Sequence, residues 1–365
     1  VNDLCPVPYS PKGVNMKFIT LLIIIFLLLA AFISGQENFK LIKQWIHSNE
    51  IIGYVFYTLI DKDDHIVGTF YKTGNCLITP EKVIKIAPKG LGPGDLMDIK
   101  GLSFYHDDIV FFEQPEKAKV FTKTNGTYKI KQTIWFKRDP HLHVVKNGLF
   151  YDNKWFLAGY ETMVQKKYES RAATFLKIYD HNGTPVKRLI QKSYKEMNQE
   201  YIMDYYVIGF KDRVFFMTEN NFKIYIISVK DLETVKVVDL RKPEFYKEMP
   251  KDYYVWKTYD NPNDNFIKDV EKWKTTYSRI HKVIVEEEFL IIQIRTCTKN
   301  LTKFALLFYD TRNFELKRTI LTEDLLLGAR KGRYYFHANG DPTRDEEAEN
   351  FIINIYKFVK QNEKE

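Results

Sequence analysis

The sequence predicts an all-β fold: a six-bladed β-propeller of four-stranded antiparallel blades, closed by an N-terminal strand. Three observations carry that expectation. Four segments repeat one pattern: Val120–Ile134 (VFTKTNGTYKIKQTI), Lys177–Ile190 (KIYDHNGTPVKRLI), Ile226–Leu240 (IISVKDLETVKVVDL) and Leu307–Ile320 (LFYDTRNFELKRTI). Each is an apolar strand, a polar turn and a return strand alternating apolar with basic residues, which is the pattern of a hairpin. The composition agrees, because 24 Tyr and 27 Phe alongside frequent Ile and Val suit half-buried pleated surfaces. The spacing completes the case. Hairpins recurring about every 50 residues cannot each bury a face alone, so they stack as units of one array, and a propeller is the array built from four-stranded units.

The chain begins with text of another kind. Val1–Asn15 reads as an upstream extension, and Met16 stands directly before Lys17 and the apolar run Phe18–Ile33 (FITLLIIIFLLLAAFI). A basic start, an apolar stretch shorter than the ~20 residues of a bilayer span, and small residues Ser34 and Gly35 together read as a secretory signal peptide helix over 16–35, cut near Gly35. An uncleaved signal anchor is the alternative. Export to the periplasm or the exterior is therefore expected, with membrane contact only through the leader if it stays attached.

Residues 36–365 form one propeller domain on this reading, since no Pro-, Gly- or Ser-rich linker divides them. Six units fall at about Ile51–Ala87, Gly101–Phe136, His141–Lys192, Tyr205–Leu240, Ser278–Ile320 and Leu325–Phe358. A ring needs its first and last sheets joined without an open edge, and Phe39–Ile46, standing ahead of the first unit, supplies the closing strand of the last blade. Lys242–Tyr277 interrupts the rhythm as an insertion, in which Asn265–Thr275 has Phe266, Val270 and Trp273 at helical spacing and reads as a short amphipathic helix. A seventh blade remains open if that insertion hides a degenerate unit. Glu161–Arg171 reads as a widened loop and Gly340–Glu349 as an acidic turn.

The segment Lys89–Asp95 (KGLGPGD), followed by Gly101–Glu113 (GLSFYHDDIVFFE) and the Asn125-Gly126 turn, resembles the joint between blades in bacterial six-bladed propellers related to the NHL-repeat and TolB-like families. In those families a G-x-G-P-G-[ED] turn leaves an outer strand and enters the next inner strand. The structural turn is thus expected at Gly92, Pro93, Gly94 and Asp95, with Gly92 and Gly94 adopting backbone angles that a side chain would resist and Pro93 fixing the bend.

Chemical signals are sparse. No nucleophile elbow, zincin helix, Walker loop or dinucleotide fingerprint occurs. His141 and His143, one residue apart on an expected strand, would share a face and could start a metal site if folding brought further ligands. Asp61–His65 (DKDDH) lacks the glycine and terminal glutamate of a calcium loop and reads as a hairpin tip. Tyr253, Tyr254, Trp256, Tyr259 and Trp273 lie in the insertion, where the repeat does not require them, and aromatic residues on loops favour recognition. Clusters such as Tyr205-Tyr206 and Tyr334-Tyr335-Phe336 read as packing between blades. Cys76 and Cys297 stand in distant repeats and read as free thiols, with a disulfide the alternative.

The formal charge of +8 comes from 55 Lys+Arg against 47 Asp+Glu spread along the chain, without the focused stripe of a nucleic-acid binder. The expected function is an exported, non-catalytic, monomeric binding or scaffold module for a protein or envelope polymer, with no cofactor. The alternative is a hydrolase or lyase, metal-assisted or not, working at the central channel.

Overall fold

The chain folds into strands wherever the apolar runs are bounded by turn residues. The computed structural model describes residues 38–48, 55–70, 73–114, 116–137, 144–160, 172–193, 204–219, 221–250, 275–297, 303–338, 340 and 350–359. Blade one holds β2 (Val55–Ile60), β3 (Ile66–Phe70), β4 (Gly74–Ile78) and β5 (Val83–Ala87). Blade two holds β6 (Ile99–Tyr105), β7 (Asp108–Glu113), β8 (Lys117–Thr124) and β9 (Thr127–Trp135). Blade three holds β10 (Val144–Tyr151), β11 (Lys154–Tyr160), β12 (Ala172–Asp180) and β13 (Pro185–Ser193). Blade four holds β14 (Tyr205–Phe210), β15 (Arg213–Thr218), β16 (Asn221–Ser228) and β17 (Glu233–Asp239). Blade five holds β18 (Arg279–Glu286), β19 (Phe289–Arg295), β20 (Phe304–Asp310) and β21 (Leu316–Thr322). Blade six joins β22 (Leu325–Arg330), β23 (Arg333–His337) and β24 (Asn350–Val359) to β1 (Asn38–Ser48) in the order β1-β24-β23-β22.

The fold is therefore the six-bladed propeller, with four antiparallel strands to a blade, and the strand ahead of the first unit does complete the last sheet. Successive inner strands touch around the axis, β2 to β6 to β10 to β14 to β18 to β22 and back to β2. Contacts divide the chain into two units, one Leu41–Tyr356 and the other Val1–Lys40 with Lys357–Glu365. The first is the propeller. In the second, the described rings of Phe39 and Phe358 lie 4.9 Å apart.

Blades stack because their second strands are apolar on both faces. In β15, Val214 and Phe216 pack with Phe156 and Ile178 of blade three, while Phe215 and Met217 pack with Ile280, Ile292 and Leu307 of blade five. A strand buried on both sides loses its polar alternation, which is why β20 is buried at every position while the outer β21 alternates between half-buried and exposed. Tyr205, Tyr206, Tyr334, Tyr335 and Phe336 are all buried, as inter-blade packing requires. Between blades five and six, the fully buried Gln293 donates from Nε2 to Asp324 O at 2.9 Å and accepts from Leu326 N at 2.9 Å.

The outer hairpins differ at their turns in an instructive way. Asn125 (φ 51°) and Gly126 (φ 78°) supply the positive angles of a tight two-residue turn. In blades four and five the left-handed position is held instead by Leu232 (φ 54°) and Phe314 (φ 61°). Phe314 is buried, with its ring 5.8 Å from that of Phe215. A backbone cost of about 1–3 kcal/mol is offset by burial worth about 2–3 kcal/mol.

The joint at Lys89–Asp95 corrects one expectation. Neither Gly92 nor Gly94 has a positive φ, so their backbone freedom is not what the turn uses. The Asp95 carboxylate accepts a hydrogen bond from Gly92 N at 2.9 Å and occupies the space a Cβ would need, within 2.9 Å at Gly92 and 2.4 Å at Gly90, whereas a Cβ at Gly94 would meet nothing. The glycines at 90 and 92 make room for a carboxylate that staples the loop.

Cys76 and Cys297 are free. Burial pushes the Cys76 thiol up to about 12, and the half-buried Cys297 donates from Sγ to Tyr277 O at 2.8 Å. His337 lies flat against Phe351, ring centroids 4.1 Å apart. Burial, opposed in part by Asp324 and helped by Lys303, pushes its imidazole down to about 4. Its unfolded value is about 6.5, so the unfolded chain takes up this proton first as pH falls. The neutral ring's contribution is complete above about pH 6.5 and is lost progressively down to the folded value, a total of about 3 kcal/mol at about 1.4 kcal/mol per pH unit. Thermal melts of His337→Phe and the parent at pH 7.0 and 5.0 should show the parent losing more stability on acidification. Equal losses would show that His337 does not titrate this way.

Candidate functional site

Inner strands of a propeller leave one edge of N–H and C=O groups facing the axis, and those groups need water or side chains as partners. The axis here is an open cavity of about 600 Å³, lined by all six inner strands, β2, β6, β10, β14, β18 and β22. Bulges shape its mouth. The ladders to the second strands slip between Val55 and Tyr57, between Val145 and Asn147, and between Ile280 and Lys282. Of the residues skipped there, Phe56, Lys146 and His281 line the cavity, whereas Lys100 and Leu327, skipped by like slips in β6 and β22, do not.

Lys282 crosses from blade five to blade one, donating from Nζ to Thr58 O at 2.8 Å and to Thr58 Oγ1 at 3.0 Å. Thr58 Oγ1 in turn donates to Leu327 O. Burial alone pushes the Lys282 amine down to about 8. Asn147 spans the junction of blades three and four, donating from Nδ2 to Tyr205 O at 2.7 Å. Asp204 is the carboxylate of the lining and is exposed. Its charge adds to burial in raising the phenols of Tyr57 and Tyr206 above their ordinary value. Tyr206 donates to Ile280 O at 3.1 Å.

Two buried carboxylates brace the blades near the inner-strand starts. Glu219 accepts from Arg279 Nη1 at 3.0 Å and from Asp204 N at 3.0 Å. Glu113 accepts from Met97 N at 2.7 Å and lies 3.3 Å from Lys119 Nζ. A second cavity, of about 310 Å³, shares Phe104 and Arg330 with the channel and is lined by hairpin-tip residues including Asp61, Asp63, His106 and Asp107. Asp61, Asp63 and His65 bring ligand atoms within 4.8 Å of one another. Asp61 Oδ1 accepts from the backbone N–H of Asp63 at 2.9 Å and of His65 at 2.8 Å, which is how an Asp organises a turn. The hairpin-tip reading holds.

The insertion is anchored firmly where it is described. Tyr246 and Met249 are buried, and the Tyr246 ring lies 4.8 Å from that of Phe222. Lys247 N donates to Ser278 Oγ at 3.0 Å and Ser278 N donates to Lys247 O at 2.9 Å, so the excursion leaves and returns at one point. Tyr253, Tyr254, Trp256, Tyr259 and Trp273 lie outside the described residues, as do His141, His143, the leader 16–35 and the loops 161–171 and 341–349. The helix expected over Asn265–Thr275 does too, apart from Thr275. Among the described residues no helix is long and apolar enough to cross a membrane.

Sequence reasoning missed Lys282, Thr58, Asp204, Glu113 and Glu219. For the two glutamates a signal existed: each closes an apolar run at the end of a blade's second strand, as FFE and as FFMTE. Lys282 had none, because lysines alternate with apolar residues in many strands of this chain.

Six radial sheets around an open axis define the class, a six-bladed β-propeller. No protein-family model matches the chain and no curated protein does. Solved structures do. A member of the DUF4221 family from Bacteroides vulgatus is similar with a TM-score of 0.56 and 11% identity, over 88% of this chain and 98% of that one. A Bacteroides fragilis protein provisionally designated as exported gives 0.49 and 14%, over 89% and 95%. The WD40 propeller domain of Doa1 gives 0.45 and 7%, over 88% and 98%. The first likeness is one of fold alone, and the other two carry no argument.

Proposed function

We propose that this chain is an exported, non-catalytic propeller that binds a protein or an envelope polymer through the face carrying the 242–277 insertion. The observation that carries this reading is the insertion's anchorage: its ends are hydrogen-bonded to each other through Lys247 and Ser278, and Tyr246 is sunk into the core. A rigid frame that presents a long loop from one clamped root is the usual design of a recognition surface. Export rests on the leader text of 16–35, and kinship with NHL-repeat and TolB-like propellers rests on the joint at Gly92–Asp95. Catalysis at the channel through His141 and His143 would need those residues carried into it.

Replacing 251–274 with a short Gly-Ser linker tests the proposal, because the clamped ends remain in place. The expected result is an unchanged melting temperature, within about 2 °C, with loss of the envelope partner recovered by crosslinking to the parent protein. Recovery of that partner at parental yield would overturn it.

A further inference from the structure

We propose that the central channel binds a small organic anion with an apolar body, its head group meeting Lys282 in the channel wall. The inference is independent of the partner surface argued above. It begins with charge. The Lys282 ammonium has three N–H bonds; two go to Thr58 O and Thr58 Oγ1, both uncharged acceptors. No carboxylate of the described residues pairs with it, and burial acts on the amine without an opposing negative field. A charge enclosed by protein is ordinarily matched by a counter-charge.

A second cation shares the lining. Arg330 reaches the cavity with a buried Nε that has no hydrogen-bond partner. Against these stands Asp204, exposed. Leu59, Phe104, Leu149, Ile208 and Ile284 supply hydrocarbon to the wall beside the polar Ser103, Asn147 and Tyr151. A cavity of about 600 Å³ is of the size that encloses small molecules, and its mixture of excess cation and hydrocarbon selects an amphipathic anion over a bare one.

Isothermal titration of the purified propeller at pH 7 with octanoate, octanol and inorganic phosphate tests this. Octanoate should bind once per chain, with octanol and phosphate each at least tenfold weaker. Lys282→Met should weaken octanoate at least tenfold, and Lys282→Arg, which keeps the charge, should retain most of the affinity. Absence of saturable octanoate binding would overturn the proposal, as would octanol or phosphate binding as tightly as octanoate, or an unchanged affinity in a folded Lys282→Met protein. Should Lys282→Met fail to fold, the comparison of the three ligands on the parent and on Lys282→Arg decides the question.

Discussion

A chain lacking Asn38–Ser48 is expected to lose the cooperative melt of the propeller. In the intact protein β1 pairs with β24 as the outermost strand of blade six. Its inward side chains, Trp45 and His47, are buried, and Trp45 meets the Tyr335 ring edge-on at 5.9 Å. Gln44 Nε2 donates to Asn354 Oδ1 at 2.8 Å, and Asn354 Nδ2 donates to Asp324 Oδ2 at 2.9 Å. Truncation therefore opens the edge of β24, uncovers the shared core of blades six and one, and leaves a buried polar network half-satisfied. Removing the Trp45 side chain alone should cost about 3–5 kcal/mol, and the lost ladder adds to it. An exposed edge also invites pairing between chains. Circular dichroism melts and size-exclusion chromatography check this: a broadened transition at least 15 °C lower and soluble aggregates are expected, reversed in part by a synthetic Asn38–Ser48 peptide. A truncated monomer melting with the parent would refute the closing role.

How much of this was legible in the sequence follows from what each feature leaves behind. Strands buried on both faces, such as β15 and β20, write long apolar runs, and hairpins write Asn-Gly and Asp-His-Asn-Gly turns, so the six blades and the closing strand could be read directly. The channel could not. Its mouth is set by bulges at Phe56, Lys146 and His281, and a bulge only slips the alternation by one residue, which in runs like IHKVIVE looks like ordinary strand text. Leu232 and Phe314 hold left-handed positions where turn chemistry points to Gly or Asn, because tertiary burial overrides local preference. The joint was found for its glycines, yet the residue that organises it is Asp95, whose carboxylate fills the space they leave.

Glu219→Ala should be among the most destabilising single substitutions in the described core. The carboxylate and the Arg279 guanidinium are both almost fully buried, 3.0 Å apart, with side-chain exposures of 4% and 9%. The second carboxylate oxygen takes the Asp204 N–H, and the backbone of Glu219 bonds to Asp204 O and to Ile280 N. One residue thus ties the end of the second strand of blade four to the start of its own inner strand and to the inner strand of blade five. Alanine leaves Arg279 without its carboxylate and the Asp204 N–H without its acceptor, a loss of about 3–5 kcal/mol, or a melting temperature lower by about 10 °C. Replacing both partners with apolar residues, Glu219→Met with Arg279→Met, removes the stranded charge and should recover more than half of that loss. The recovery separates an ion pair that braces two blades from a glutamate that merely fills space. A single variant melting within about 1 °C of the parent, or a double variant no better than the single, would show that the pair does not hold these blades together.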